Sequence, residues 1–539
     1  MATICQSLAS RWNGTDPRAC LARFGNEDGG AIGVFYAVTF MMLMLIVAVA
    51  IDYGRADLEY QRVQRAADAA ALAASHRLGL PDQEATGAEV ARQFFKANTS
   101  GNQANEAIEA VTLDSSKGEV RIKAGGTVIS SLLNAVGIRN LEVRTASRVV
   151  KGDGTVEIAL VLDNSGSMAG QPIADLQTAA RNLAQVVFTG GAESGRVKVG
   201  IVPFSGMVNV GAGNRASGWI DEAGLSPLNG ANFSGNTPRL DLYDQLGVSW
   251  RGCVEARPAP YDTTDAAVTA ANPQSLFVPS FAPDEPDSGN TGGASYQNSY
   301  LVDDGGACTP QPTTCLKYSR RGNCTNWYKE PLPPSEAQAR LCKYQGATIA
   351  AGEDGPNYMC DTQPILPLSS SKTEVDSTLN MLEAKGSTNI PEGVAWGWRV
   401  LSPEAPFTEG RAYDTPANEK IMIVMTDGAN TYSSYSNHNK SWYAAHGYGA
   451  SGRLGTTYSS SAYVTRMNEK TLTACANAKA AGVKIYTVAF RLESDPTTLS
   501  LLQSCASEAS MAYRAGNGAS LIAAFERIGT EISKLRIAG

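Results

Sequence analysis

Residues 156–168 read VEIALVLDNSGSM. The first seven form an almost continuous apolar run, the pattern of a strand buried on both faces of a parallel sheet. The residues that follow place one carboxylate and two hydroxyls at alternate positions: Asp163, Ser165 and Ser167. Taken alone, such a segment reads as a serine nucleophile, a phosphate loop, part of a metal site, or a strand-to-helix turn with capping residues. A serine hydrolase needs a G-x-S-x-G elbow and a histidine base. NSGSM is not that elbow, and none of the three histidines (His76, His438, His446) is suggestively placed. The phosphate loop G-x-x-x-x-G-K-[ST] does not occur here either. A turn and a metal site remain, and residues more than two hundred positions downstream decide between them.

Downstream, strands and helices alternate. Helices are expected at 172–188, near 373–384 and 391–401, at 466–481 and at 519–536, and strands at 196–204 (RVKVGIVPF), 421–426 (IMIVMT) and 484–490 (KIYTVAF). This order predicts an α/β fold, a doubly wound, mostly parallel sheet with helices on both faces. Two insertions interrupt it. One, at about 206–362, carries six cysteines and lacks periodicity; the other, at 428–465, is rich in tyrosine. Those tyrosines either shape a contact surface or pack the loop on itself.

Ligands of open parallel sheets bind outside the carboxyl ends of the strands. Asp163 directly follows one strand, Asp427 directly follows another in IMIVMTDG, and Thr388 lies in KGSTNIPEG before a helix. Asp163, Ser165, Ser167, Thr388 and Asp427 are therefore expected to converge. Carboxylates and hydroxyls are hard oxygen ligands suited to Mg²⁺, Mn²⁺ or Ca²⁺, whereas Zn²⁺ prefers histidine or cysteine. With several uncharged ligands the cation keeps its Lewis acidity, so an open coordination position attracts an acidic oxygen from a partner.

Residues 31–51, AIGVFYAVTFMMLMLIVAVAI, are uncharged over 21 positions, and a helix crosses the hydrocarbon core with ~20 apolar residues. No small-x-small cleavage site follows, and Asp52, Arg55, Asp57 and Glu59 come next, so the segment reads as an uncleaved signal-anchor rather than a buried core helix. Flanking arginines tie: Arg11, Arg18 and Arg23 before, Arg55, Arg62 and Arg65 after. Cysteines break the tie. Eight of the ten follow the span, without the paired CxxC spacing of a zinc cluster, which fits disulfides in an oxidising compartment. Residues 1–30 are then a cytoplasmic tail, and everything after residue 51 is outside. Residues 52–78 should be helix continuous with the span, with an alanine run (66, 67, 69–71, 73, 74) that packs against a partner or against the chain's own next helix. A helix at 84–97, strands near 107–113 and 119–125, a short helix at 127–137 and a strand at 141–150 complete a small α+β module over 52–152, with the second domain at 153–539.

The chain has 539 residues, 43% of them hydrophobic, and a net charge of −7 without a Lys/Arg stripe, which argues against nucleic acid as a partner.

The spacing D-x-S-x-S, later Thr and later T-D-G resembles the metal-ion-dependent adhesion site of von Willebrand factor A domains. The resemblance implies that Asp163, Ser165 and Ser167 form the first ligand loop, that Thr388 and Asp427 fill the second and third, and that the metal bridges to a partner carboxylate without covalent chemistry. The long insertion before Thr388 departs from a minimal A domain. The N-terminal part (RFGNEDGGAIGVFYAV, then AIDYGRADLEYQRVQRAADAAALAAS) is similar to TadE/TadG-like pilus-assembly proteins, as are W-x-G-C at 250–253, SYLVD at 299–303 and WGWRVLSP at 396–403. Prepilin-like relatives carry Glu at the fifth position beyond a glycine cut; here Phe35 or Val34 stands there, so no such cleavage is expected. In an exported A domain a Cys475–Cys505 disulfide is favoured. The six insertion cysteines allow three more bridges whose pairing sequence does not give, though Cys253 with Cys360 would staple the insertion's ends. Together these features imply a non-enzymatic, inner-membrane, periplasmic component of Flp/Tad pilus assembly that binds partner proteins through Mg²⁺. A surface-exposed adhesin using the same site for a host or surface ligand is the alternative.

Overall fold

The computed structural model describes residues 29–75, 77, 83–99, 105–114, 119–150, 154–188, 195–349 and 355–538. Most of the expected tail, with Cys5 and Cys20, and the turn at 152–153 lie outside the described residues. The chain folds as two units, Met1–Gly152 and Asp153–Gly539.

In the first unit one 47-residue helix, α1 (Gly29–Ser75), carries the apolar segment and runs on without a break. Among the described residues it supplies the one helix long and apolar enough to cross a membrane, Val34–Ser75. Helix α2 (Gln83–Thr99) and the antiparallel sheet β1 (Ala107–Asp114), β2 (Glu119–Ile129) and β3 (Asn140–Val150) pack against its distal part. Val63, Ala66, Ala67, Ala70, Ala71 and Ala74 are buried with Ala91, Phe95, Leu113, Val120, Ile122 and Ala124. The alanine run thus covers the chain's own module, since small side chains let helix and sheet approach closely. The helix expected at 127–137 is not there. Thr127, Val128 and Ile129 continue β2, paired with Glu142, Leu141 and Asn140, and only a 3-10 turn, Leu133–Val136, follows. β-branched side chains favour the strand, and Gly137 at φ 93° ends the turn.

In the second unit β4 (Thr155–Asp163), α3 (Gln171–Phe188) and β5 (Val197–Phe204) begin the α/β pattern. The first insertion contributes β6 (Val208–Asn209), α4 (Arg239–Leu246), β7 (Cys253–Val254), the hairpin β8 (Thr313–Tyr318) and β9 (Cys324–Lys329), and α5 (Pro334–Ala339). The pattern resumes with β10 (Leu366–Ser369), α6 (Lys372–Asn380), α7 (Ile390–Leu401), β11 (Asn418–Thr426), α8 (Ser460–Ala480), β12 (Lys484–Phe490), α9 (Pro496–Cys505), β13 (Ala512–Ala515) and α10 (Gly518–Ala538). The sheet order is β13-β12-β11-β4-β5-β6-β7; the run from β13 to β5 is parallel, while β6, β7 and the side strand β10 are antiparallel additions. Alternation sorts the core. Val156, Ile158, Leu160 and Leu162 face α3, α6 and α10, whereas Ala159 and Val161 join α7, α8 and α9 on the other face.

The first insertion, which lacks periodicity in the sequence, is packed into the domain: Trp219, Tyr243, Phe277, Phe281 and Tyr344 from it join the α7 side of the core around Trp396. The second ends at Ser459, not 465, because the Ser459 side chain accepts a hydrogen bond from the Ala462 N–H and starts α8 six residues early. Its tyrosines mostly pack the loop: Tyr432, Tyr443 and Tyr448 are buried, and Tyr432 packs with Tyr463 in the first turn of α8.

The disulfides are Cys253–Cys360, Cys308–Cys342, Cys315–Cys324 and Cys475–Cys505. The last ties α8 to α9 across 30 residues. By chain entropy the paired change Cys475→Ser and Cys505→Ser should cost about 3–4 kcal/mol. Urea unfolding of oxidised protein checks this, and an unchanged midpoint would show the bridge to be idle.

Candidate metal centre

Strand β4 ends at Asp163, whose side chain is fully buried. Its Oδ1 accepts from the Ser165 N–H at 2.8 Å and its Oδ2 from the Thr426 hydroxyl at 2.5 Å. Ser165 precedes a single 3-10 turn, Gly166–Met168, which carries Ser167 back beside it: the two hydroxyl oxygens lie 3.0 Å apart. Ser167 Oγ then donates to Asp427 Oδ1 at 2.6 Å, joining the ends of β4 and β11. Thr388 sits just before α7; a Cβ built on Gly428 would lie 3.8 Å from both Thr388 Oγ1 and Ser167 Oγ. All five expected residues therefore meet at the carboxyl edge of the sheet.

The loops are held by backbone. Gly166 N–H donates to Gly386 O at 2.9 Å, and Thr431 N–H to Thr388 O at 2.9 Å. Gly386 has φ 84°, and a Cβ there would meet Ser205 Oγ at 2.9 Å and Asp361 Oδ2 at 3.2 Å, so glycine alone fits this crossing. Asn389 Nδ2 donates to Gly206 O at 3.2 Å, and Asn430 Oδ1 accepts the Ile390 N–H at 2.8 Å, fixing the start of α7.

The electrostatics of the protein alone are strained. Burial, and next the charge of Asp427, push the Asp163 carboxyl up to about 6. Burial also raises Asp427, although the Ser167 hydroxyl opposes it. Two nearby carboxylates that resist ionising together, bordered by neutral hydroxyls, are what a divalent cation stabilises. A cavity of about 300 Å³ opens beside them, lined by Ser165, Ser167, Ser387, Thr388, Met359 and Trp442 among others, and the buried Ser387 hydroxyl has no hydrogen-bond partner. The donor set fits a hard cation with two carboxylates. Among the described residues, no group of three or more His, Cys, Asp or Glu is arranged to hold a metal.

Residues 29–86 match the TadE/G-like Flp pilus-assembly family, Tad. The match is confined to the N-terminal unit and takes in the apolar helix. Comparison with curated proteins gives no match. Among solved structures, the chain is similar to the pilus adhesin SpaC from Lactobacillus rhamnosus GG (13% identity, TM-score 0.32, 80% of this chain and 34% of SpaC). It thus spans about a third of SpaC's length. It is also similar to the vWF domain of the type V pili tip protein Mfa5 from Porphyromonas gingivalis (9% identity, TM-score 0.32, 71% of this chain and 96% of that one). A third is the PilB minor pilin from Streptococcus sanguinis (10% identity, TM-score 0.32, 81% and 79%).

Sequence reasoning did not single out Thr426, although it stands in the same M-T-D-G segment, and its hydroxyl orients Asp163. Of the walls supplied by the two insertions, Met359 carried no sequence signal, whereas Trp442 belongs to the aromatic loop expected either to shape a contact surface or to pack on itself.

Proposed function

We propose that this chain is a single-pass inner-membrane component of Flp/Tad pilus assembly whose A-type domain, residues 153–539, binds partner proteins through a metal-ion-dependent adhesion site. The observation that carries this reading is the meeting of Asp163, Ser165, Ser167, Thr388 and Asp427 at one edge of a parallel sheet, beside an open cavity. Those five residues would hold Mg²⁺, or Mn²⁺ or Ca²⁺. Bound there, the cation supplies a Lewis-acidic position to an acidic side chain of the partner, and no covalent step is involved. The four disulfides that follow the apolar helix support the reading that this domain stands outside the cytoplasm, in the periplasm.

The test is co-purification of partners with full-length protein, wild type against Asp163→Ala. Recovery from wild type should fall at least tenfold in chelator and return with Mg²⁺, and Asp163→Ala should match the chelated sample throughout. Equal recovery under all conditions would reject the metal bridge. Antibody access to residues 153–539 on intact cells separates the periplasmic component from a surface adhesin, since only the adhesin is stained.

A further inference from the structure

Four large apolar side chains are exposed on one short segment of the N-terminal unit. Ile129 is 65% exposed, Leu132 44%, Val136 52% and Ile138 46%. They occupy the end of β2, the bend before the 3-10 turn, the turn itself and the residue after Gly137. Val128 and Leu133 in the same segment are buried, so the local core is already filled and these four lie outside it.

The segment is fastened to one point on α1. The Asp52 carboxylate accepts hydrogen bonds from Ser130 Oγ at 2.8 Å and from the N–H groups of Ser131, Leu132 and Leu133 at 3.2, 2.9 and 2.8 Å. Arg55 adds a bond to Ser131 Oγ. Asp52 is the first residue after the uncharged stretch 31–51, which at 1.5 Å per residue spans ~31 Å, the thickness of the hydrocarbon core. Asp52 therefore marks the level at which α1 leaves the apolar phase. The exposed surface of α1 up to Ile51 and the exposed side chains of this segment meet at that level.

We propose that residues 129–138 are a second membrane contact, a loop whose Ile129, Leu132, Val136 and Ile138 side chains enter the boundary between lipid headgroups and acyl chains. The proposal rests on the anchor reading above. Its occupant is a lipid bilayer because the loop continues a surface that already faces lipid. Apolar side chains with flanking cations, here Arg55 and the exposed Arg139, suit that boundary, and the exposed Tyr53 at the same level is of the type enriched there. A lone spanning helix is free to tilt and rotate; a second contact fixed to Asp52 holds the module at one orientation to the membrane.

Depth measurement tests this. The probe is an environment-sensitive fluorescent amino acid, dansylalanine, placed in the full-length protein at Phe40, Val136 or Lys123. Val136 and Lys123 are exposed, so neither change disturbs the core. Lys123 is the distal control: it adjoins Ala124, which pairs with Thr145, and Thr145 is bonded to Gln64, twelve residues beyond Asp52 and so ~18 Å along α1. Proteins are reconstituted in phosphatidylcholine–phosphatidylglycerol vesicles with or without brominated acyl chains. Emission at positions 40 and 136 should fall at least twofold with brominated lipid, and emission at 123 should not change. Loss at 40 but not at 136 would overturn the proposal. So would equal loss at 136 and 123, since the module would then lie flat on the bilayer. No loss at 40 would refute the anchor itself, and the loop contact with it.

Discussion

Stripped of divalent cations at pH 7, the Asp163→Asn protein is expected to be more stable than wild type. Asp163 is fully buried, and its carboxyl is raised from 3.8 to about 6, by burial first and by Asp427 next. A carboxyl raised on folding favours the folded state fully below its unfolded pKa, and that contribution is lost as pH rises through the folded value near 6. At pH 7 the ionised group therefore opposes folding by about 3 kcal/mol. Asparagine keeps an oxygen for the Ser165 N–H and presents an amide to the Thr426 hydroxyl, which can turn to accept. Allowing for imperfect geometry, the gain should be about 1–3 kcal/mol in urea unfolding with chelator. Mg²⁺ reverses the order. A ligand that binds only the folded wild type adds about 2.7 kcal/mol at a hundredfold excess over its Kd, and the variant gains little. Midpoints measured with chelator and with Mg²⁺ check both halves, and an equal Mg²⁺ response in the two proteins would remove Asp163 from the ligand set.

Arg239→Ala is expected to cost about 3–5 kcal/mol, the range for breaking a buried ion pair. Arg239 is fully buried, and its guanidinium bonds Glu255 Oε1 at 2.6 Å, Leu228 O at 2.7 Å, Pro279 O at 3.1 Å and Tyr443 Oη at 3.2 Å. Tyr443 Oη in turn donates to Glu255 at 2.5 Å, and Arg453 bonds the other carboxylate oxygen. Arg239, Glu255, Tyr443 and Arg453 thus lock the first insertion to the second, the one that carries Trp442. Arg239→Lys should rescue little, because an ammonium cannot reach partners spread around a planar fork. Chemical unfolding with the disulfides intact measures the loss. Cation affinity, measured by calorimetry, should change less than tenfold, since no ligand touches Arg239. A stability loss below 1 kcal/mol would show that the insertions hold together without it.

The meeting of the five oxygen-bearing residues was legible because they obey a local rule. Asp163 and Asp427 each follow a buried apolar strand directly, and strand ends of a parallel sheet share one edge, so two short segments 264 positions apart could be placed together from pattern alone. The membrane-length helix was legible for a similar reason: 21 uncharged residues in a row are long enough to cross a hydrocarbon core and read as one helix. The helix expected at 127–137 failed because apolar residues in a short run fit strand and helix alike, and the ladder with β3 decided the outcome.

By itself, then, the sequence determined the alternating strands and helices, the membrane-length helix and the identity of the five oxygen-bearing residues. All of these depend on neighbours a few positions away. Tertiary structure alone decided how the first insertion fills the core around Trp396, how its other four cysteines pair once Cys253 and Cys360 have met as the sequence suggested, and how Met359 and Trp442 come to wall the cavity. It also decided that Asp52 would fasten an apolar loop beside the anchor. Most contacts of this kind join residues tens to hundreds of positions apart through shape, disulfides and buried hydrogen bonds, which leave no period in the chain.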